Sequence, residues 1–246
     1  MQQKTITDET LKMGVDVLAE KDPDLYEVRA RLGYPPIWTR EPGFASLIHI
    51  ILEQQVSLKA AATMFQRLAS HLGSVTPELV QRAGEPELRR VGLTRQKSRY
   101  CVELANRITD GKLDLAQVEK LDDVQGRSHL LEVPGLGPWT VDIYYMMALR
   151  RPDVWPQGDL ALASAIQDIK NLDARPTKEE QLAFAEQWAP WRALPDVRGC
   201  SWLGRSWANR LCKLVRAAFK LAGRAACGAT TRGNASDQSG RSGRSH

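Results

Sequence analysis

An all-α fold of about ten short helices is what this 246-residue sequence predicts, from three features of its pattern. Apolar residues recur at helical spacing over most of the chain. Capping residues and glycine or proline stops bracket those runs. No stretch alternates apolar and polar residues for long enough to argue a sheet. With 43% hydrophobic and 26% charged positions, a chain of this size buries roughly 70% of the surface its unfolded form exposes, so it needs neither disulfides nor a structural metal to fold.

The elements follow in order. From Phe44, the residues Leu47, Ile48, Ile51, Leu52 and Val56 form an i, i+3, i+4 stripe broken by Gln54, Gln55 and Ser57. Ser57 is placed to cap a helix with the stripe Ala61, Ala62, Phe65, Leu68 and Leu72, and Gly73 stops it. Thr76 before Pro77 marks another start, since proline tolerates the first helical turn. Thr94 caps a longer helix through Cys101, Leu104 and Ile108, ended by Gly111. In LEVPGLGPWTVDIYYMMAL one helix ends near Glu132, a turn runs from Pro134 to Pro138, and a second helix begins near Trp139. Asp159 sits where the N-cap of LALASAIQDI belongs, and Thr177 with Glu180 forms a capping box before a helix reaching Trp188.

After Arg192 the texture changes. Residues 193–227 read as a basic amphipathic segment, with Leu203, Trp207, Leu211, Leu214 and Leu221 in one row. From Gly228 to His246 there is no aromatic, Leu, Ile or Val, and disorder is the expectation there. The packed domain is therefore expected over residues 1–192, with no amino-terminal β domain in the short stretch before Phe44.

Charge narrows the function less than its total suggests. The net charge is +5, but residues 191–246 hold eleven Lys or Arg against two Asp or Glu, whereas residues 1–190 hold 23 against 27. The body is slightly acidic, so the basic footprint of a nucleic-acid binder is not spread over it. The most apolar stretch, Leu47 to Leu52, is far short of the roughly 20 residues that cross a bilayer. The start, MQQKTITDET, has no basic region followed by an apolar run, so a cytosolic protein is expected. Cys101, Cys200, Cys212 and Cys227 match no short-spaced zinc or iron–sulfur set and read as reduced thiols.

Two segments carry candidate chemistry. In the turn, Gly135 and Gly137 permit backbone angles and close approach that other residues forbid, so N–H groups at a helix start can meet an anion such as phosphate. A plain tight turn between antiparallel helices is the alternative. Twenty residues after Trp139 comes Asp159, whose carboxylate either caps a helix or, placed at the positive end of the helix dipole, stabilises a developing cation. His49, His71 and His129 show no ligand spacing, and Asp142 reads as a structural hydrogen-bonding group. Arg95 and Lys97 read as a solvated helix face, with phosphate contact as the alternative.

Five motifs in sequence order, REPGFASLIHIILEQQVSLKAA, GLTRQKSRY, VPGLGPWTVDIYYMMAL, DVWPQGDLAL and WAPWR, resemble the helix-hairpin-helix DNA glycosylase superfamily, in its alkylpurine branch, DNA-3-methyladenine glycosylase II. The match runs from about Asp22 to Arg192. The resemblance implies a monofunctional enzyme that hydrolyses the N-glycosidic bond of alkylated purines of the 3-methyladenine type in duplex DNA. It implies Asp159 as catalytic residue and Trp139 and Ile143 in the base pocket. Gln55 matches the position of the side chain inserted into the duplex, and Gly135 and Gly137 that of the phosphate-binding hairpin. For Gln54, helix capping or a solvated role is the alternative. Where bifunctional members carry a nucleophilic lysine, Trp139 stands. No cofactor is required by the resemblance, although hairpin carbonyls commonly hold a monovalent cation in this family. Damaged double-stranded DNA is the implied partner of a monomer that has no membrane role. Because the match ends after WAPWR, a non-catalytic DNA-binding descendant, or one inactive through its altered carboxy terminus, is the competing expectation.

Overall fold

The fold follows from one helix that is apolar on nearly every side. In the computed structural model, which describes residues 5–37 and 40–197, α3 (Phe44–Glu53) has eight of its ten residues buried. Such a helix has no solvent face and must be surrounded. It packs against α4 (Leu58–Leu72), α6 (Arg95–Thr109) and α9 (Pro138–Met147). Leu47, Ile48, Ile50, Ile51 and Leu52 are wholly excluded from solvent. The gain of burying each such side chain is about 1.5–3 kcal/mol relative to exposure.

The outer helices complete the enclosure. Both α1 (Asp8–Lys21) and α2 (Pro23–Leu32) precede the central helix, and α5 (Pro77–Arg90) packs on α6. In α5 the chain leaves helical geometry at Gly84, just before Pro86. The short helices α7 (Leu115–Lys120) and α8 (Asp123–Leu131) pack on each other and lead into α9. Next come α10 (Leu160–Ile169), α11 (Lys178–Gln187) and the single turn α12 (Leu194–Val197), which returns to α1. A Cβ on Gly14 would stand 2.5 Å from the Leu194 side chain and 2.7 Å from Trp191, so helix α1 needs glycine where Trp191 and Leu194 dock. Packing continues through Ala193 and Leu194, both buried beyond Arg192.

The described residues hold twelve helices and no strand, against the ten expected. The caps read from the sequence are made: Ser57, Thr76, Thr94 and Asp159 each accept backbone N–H bonds, and Thr177 with Glu180 closes a capping box. Gly73 and Gly111 end their helices with φ of +79° and +71°. One expectation needs correction: Val56 is not on the buried stripe, because α3 stops at Glu53 and Val56 lies in the following turn, 41% exposed. No helix among the described residues is long and apolar enough to cross a membrane. Residues 198–246, with the amphipathic row, the glycine- and serine-rich end and Cys200, Cys212 and Cys227, lie outside the described residues. Cys101 is a buried free thiol whose pKa burial pushes up to about 12.

Candidate active site

The hairpin between α8 and α9 is anchored from inside. Leu136, at its tip, is buried, and its N–H donates to the Val133 carbonyl at 3.0 Å. Gly135 has φ of +94°, and a Cβ there would fall 2.3 Å from the Tyr100 ring. Backbone conformation and close packing both require glycine at this position. Gly137 is different. Its φ of −76° suits any residue, a Cβ would meet nothing within 4 Å, and it is the N-cap of α9 without a side-chain cap. The first N–H groups of α9 thus stand behind an unobstructed backbone.

A second strut reaches the hairpin from the core helix. Gln54, the C-cap of α3, donates from Nε2 to the Gly135 carbonyl at 2.8 Å and to Thr140 Oγ1 at 2.9 Å. Gln54 therefore neither caps a helix through its side chain nor points into water: it ties α3 to the hairpin. Its neighbour Gln55 is exposed, in the left-handed region with φ of 59°. The same end of α3 corrects the reading of Lys97, which is buried and donates from Nζ to the Leu52 carbonyl at 2.6 Å. Burial lowers its pKa, and its ammonium satisfies a helix C-terminus that would otherwise lack a donor. Arg95 remains on the exposed face.

Asp159 is 6% exposed, after the loop Trp155 to Gly158, where Gly158 has φ of +78°. Its Oδ1 accepts the N–H groups of Ala161 at 2.8 Å and Leu162 at 3.0 Å. Its Oδ2 accepts the indole N–H of Trp139 at 2.9 Å. The capping role is real, and it uses only one of the two oxygens. Trp139 is half-buried at the first turn of α9, partly packed on the core. One turn further, Ile143 is buried in the core itself at 2% exposure. Leu160, directly after the carboxylate, is 71% exposed, an apolar side chain of that size beside a buried acid.

Of the remaining polar candidates, Asp142, His49 and His71 have partners, and His129 is exposed. Asp142 is buried and ion-paired with Arg127, in keeping with a structural group. His49 stacks on Phe65 with ring centroids 4.5 Å apart and lies 3.6 Å from Glu53, which takes a 2.8 Å bond from Arg40. Burial, then the Arg40 charge, pushes His49 down from 6.5 to about 4. His71 reaches Glu87 at 3.4 Å. No group of His, Cys, Asp and Glu among the described residues could hold a metal ion. Sequence reasoning missed Gln54 and Lys97 as struts and Tyr100 as the floor under Gly135. No pattern signals them, since each acts across elements far apart in the chain.

Residues 48–190 match the family described as the HhH-GPD superfamily base excision DNA repair protein. The DNA-3-methyladenine glycosylase of Bacillus subtilis is 26% identical over 162 residues, covering 61% of this chain and 54% of that protein. The DNA-3-methyladenine glycosylase 1 of Schizosaccharomyces pombe is 28% identical over 157 residues, covering 62% of this chain and 68% of that protein. Among solved structures, the Schizosaccharomyces pombe 3-methyladenine DNA glycosylase in complex with abasic DNA superposes with a TM-score of 0.70 at 25% identity, covering 75% of this chain and 94% of that one. The chain spans about half the length of the two Bacillus subtilis relatives it matches.

Proposed function

This chain belongs to the HhH-GPD superfamily of base excision DNA repair proteins, and from that premise we propose that it is a monofunctional DNA glycosylase releasing alkylated purines of the 3-methyladenine type from duplex DNA. The observation that carries the reading is Asp159: a buried carboxylate fixed by two backbone donors on one oxygen and by Trp139 on the other. An alkylated purine already carries positive charge, so its departure from C1′ needs less acid assistance than hydrolysis of an ordinary glycoside with two carboxylates. One carboxylate suffices. Asp159 faces the oxocarbenium-like sugar electrostatically and orients the attacking water, whose proton it accepts; water adds to C1′ and the products are free base and abasic DNA.

The neighbouring residues take roles that fit this chemistry. Trp139 offers the face of an electron-rich ring to a cationic base while its N–H edge holds the acid. It also stands where an imine-forming enzyme needs an amine, which supports hydrolysis without a covalent intermediate. Ile143 supports the pocket from the core, one turn behind Trp139. A base must leave the stack to be reached, and Gln55, exposed on a sharp turn braced by Gln54, is placed to enter the gap. Gly135 and Gly137 bring the amides at the start of α9 to a backbone phosphate. Neutral carbonyl oxygens of the hairpin are ligands of the type a monovalent cation takes. Such an ion would add positive charge beside the phosphate.

The test is release of free purine from methylated duplex DNA by the wild type and by Asp159→Asn. Asparagine keeps the helix cap. Excision is expected to fall by about 10²–10³-fold, the scale of a lost electrostatic contribution at a transition state, with DNA binding retained. Binding without release by the wild type would establish the non-catalytic alternative instead. Borohydride during turnover should trap no protein–DNA adduct.

A further inference from the structure

The acid of the site is buried, but the loop that carries it is not. Asp159 is 6% exposed, whereas Gln157, Gly158 and Leu160 around it are open to solvent. A basic side chain from another element lies along this rim. Lys178, the first residue of α11, is exposed, and its Cε stands 3.6 Å from the place a Cβ on Gly158 would take. Gly158 has φ of +78°, and it leaves the loop bare of a side chain where the lysine passes. The ammonium is one bond beyond Cε, beside the residue that precedes the acid. Among the described residues no hydrogen bond or ion pair engages it.

For the helix itself a lysine is the wrong residue here. The start of a helix carries partial positive charge and favours acids. The capping box already satisfies this start: Glu180 accepts the Thr177 N–H at 2.7 Å, and Thr177 Oγ1 accepts the Glu180 N–H at 3.2 Å. Glu179 and Glu180 follow Lys178 in the same turn, yet neither pairs with its ammonium. A cation at this place has a use outside the protein. An extruded nucleotide with C1′ at Asp159 carries its two phosphates one sugar ring away, and a carboxylate that close repels them. The hairpin meets phosphate with neutral amides, and the body over residues 1–190 is slightly acidic, so neither offsets that repulsion. An ammonium on the rim does.

We propose that Lys178 binds a phosphate of the extruded nucleotide: from the start of α11 its ammonium reaches past Gly158 and takes one of the two phosphodiesters that flank the sugar held at Asp159. The inference rests on the glycosylase reading for its ligand. It gives the site two phosphate contacts of different kinds, the hairpin amides on the duplex and the Lys178 ammonium on the nucleotide that has left it.

The test uses the full chain. Wild type, Lys178→Gln and Lys178→Arg are compared for melting temperature, for purine release from methylated duplex, and for affinity over a range of salt. The duplexes bound are an undamaged one and one carrying a tetrahydrofuran abasic-site analogue, the latter also made with a neutral methylphosphonate at each flanking phosphate in turn. Glutamine is expected to weaken binding of the analogue by about tenfold and to reduce its salt slope by about 0.9, the share of one phosphate contact. Binding of undamaged duplex should stay within about twofold, and arginine, which keeps the charge, within about threefold of wild type on both. One of the two methylphosphonates should weaken wild type as much as glutamine does and have no further effect on Lys178→Gln. Lys178→Gln should melt no lower than wild type, since a helix start loses a cation. Equal affinity of wild type and Lys178→Gln for the analogue, a loss shared by undamaged duplex, or losses that add at both methylphosphonates would overturn the proposal. A lower melting temperature with the same loss of affinity in Lys178→Arg would make the residue structural. If wild type releases purine and prefers the analogue while Lys178→Gln binds it as well, only this inference fails; if wild type does neither, the glycosylase reading fails and this inference with it.

Discussion

Asp159, the proposed catalytic residue, is held through both of its carboxylate oxygens. The aspartate gives Oδ1 to the helix and Oδ2 to the indole, so neither oxygen is free to turn. Trp139→Phe keeps an aromatic face and removes the donor. A bond to a charged acceptor is worth about 1.5–3 kcal/mol, so single-turnover excision should slow by about tenfold or more with duplex affinity kept; an unchanged rate would show that the bond is not needed. His49 tests burial in another way. Its pKa lies near 4 in the fold against 6.5 ordinarily, so between those values the unfolded chain binds a proton that the folded chain does not. Stability from this site is therefore full above pH 6.5 and lost as pH falls towards 4, by about 3 kcal/mol at most. His49→Phe should flatten that loss in urea melts compared at pH 7 and pH 4.5.

At the scale of the element, the hairpin separates two glycines that look alike in sequence. Gly135 is needed by the protein itself, through its positive φ and the Tyr100 ring against it. Gly135→Ala should lower stability by about 1–3 kcal/mol or more, the cost of a strained backbone with a clash added, as measured by thermal melting. Gly137 has open space and an ordinary φ. Gly137→Val should leave the melting temperature within about 2 °C while weakening binding to damaged and undamaged duplex alike, since phosphate contacts position without reading bases. Loss of lesion discrimination alone would place Gly137 at the pocket instead. Gln54 ties the hairpin, and Lys97 ties α6, to the carbonyl end of α3.

Among the described residues, a buried polar junction at Asp22 joins helices far apart in the chain. Asp22 ends α1 and begins α2, takes Lys170 Nζ at 2.7 Å on both oxygens, and accepts the Trp188 indole N–H at 2.9 Å. It thereby joins the first two helices to the ends of α10 and α11. Burial alone would raise its pKa, but the bonds from Lys170 and Trp188 outweigh that and lower it. Its folded value lies below its unfolded one, so the stability it contributes is present above about pH 4 and lost as pH falls through the folded value. Asp22→Ala leaves a half-buried lysine with Asp24 alone and should cost about 3 kcal/mol at neutral pH, with a smaller further loss on acidification than wild type. Equal acid sensitivity of the two proteins, followed by circular dichroism, would assign acid unfolding to other carboxylates.

The sequence by itself determined the helical class, the caps at Ser57, Thr94, Asp159 and Thr177, the helix ends at Gly73 and Gly111, and the hairpin before Trp139. These are local matters: a cap or a turn is decided by residues within four positions of one another. The tertiary structure alone decided that Trp139 donates to Asp159, that Gln54 and Lys97 bind carbonyls instead of facing water or phosphate, and that Gly135 but not Gly137 is needed for packing. Those partners lie between 20 and 81 positions apart. No periodicity carries a distance of that kind, because which polar group satisfies which is settled only when the core helix α3 is enclosed and every buried donor must find an acceptor.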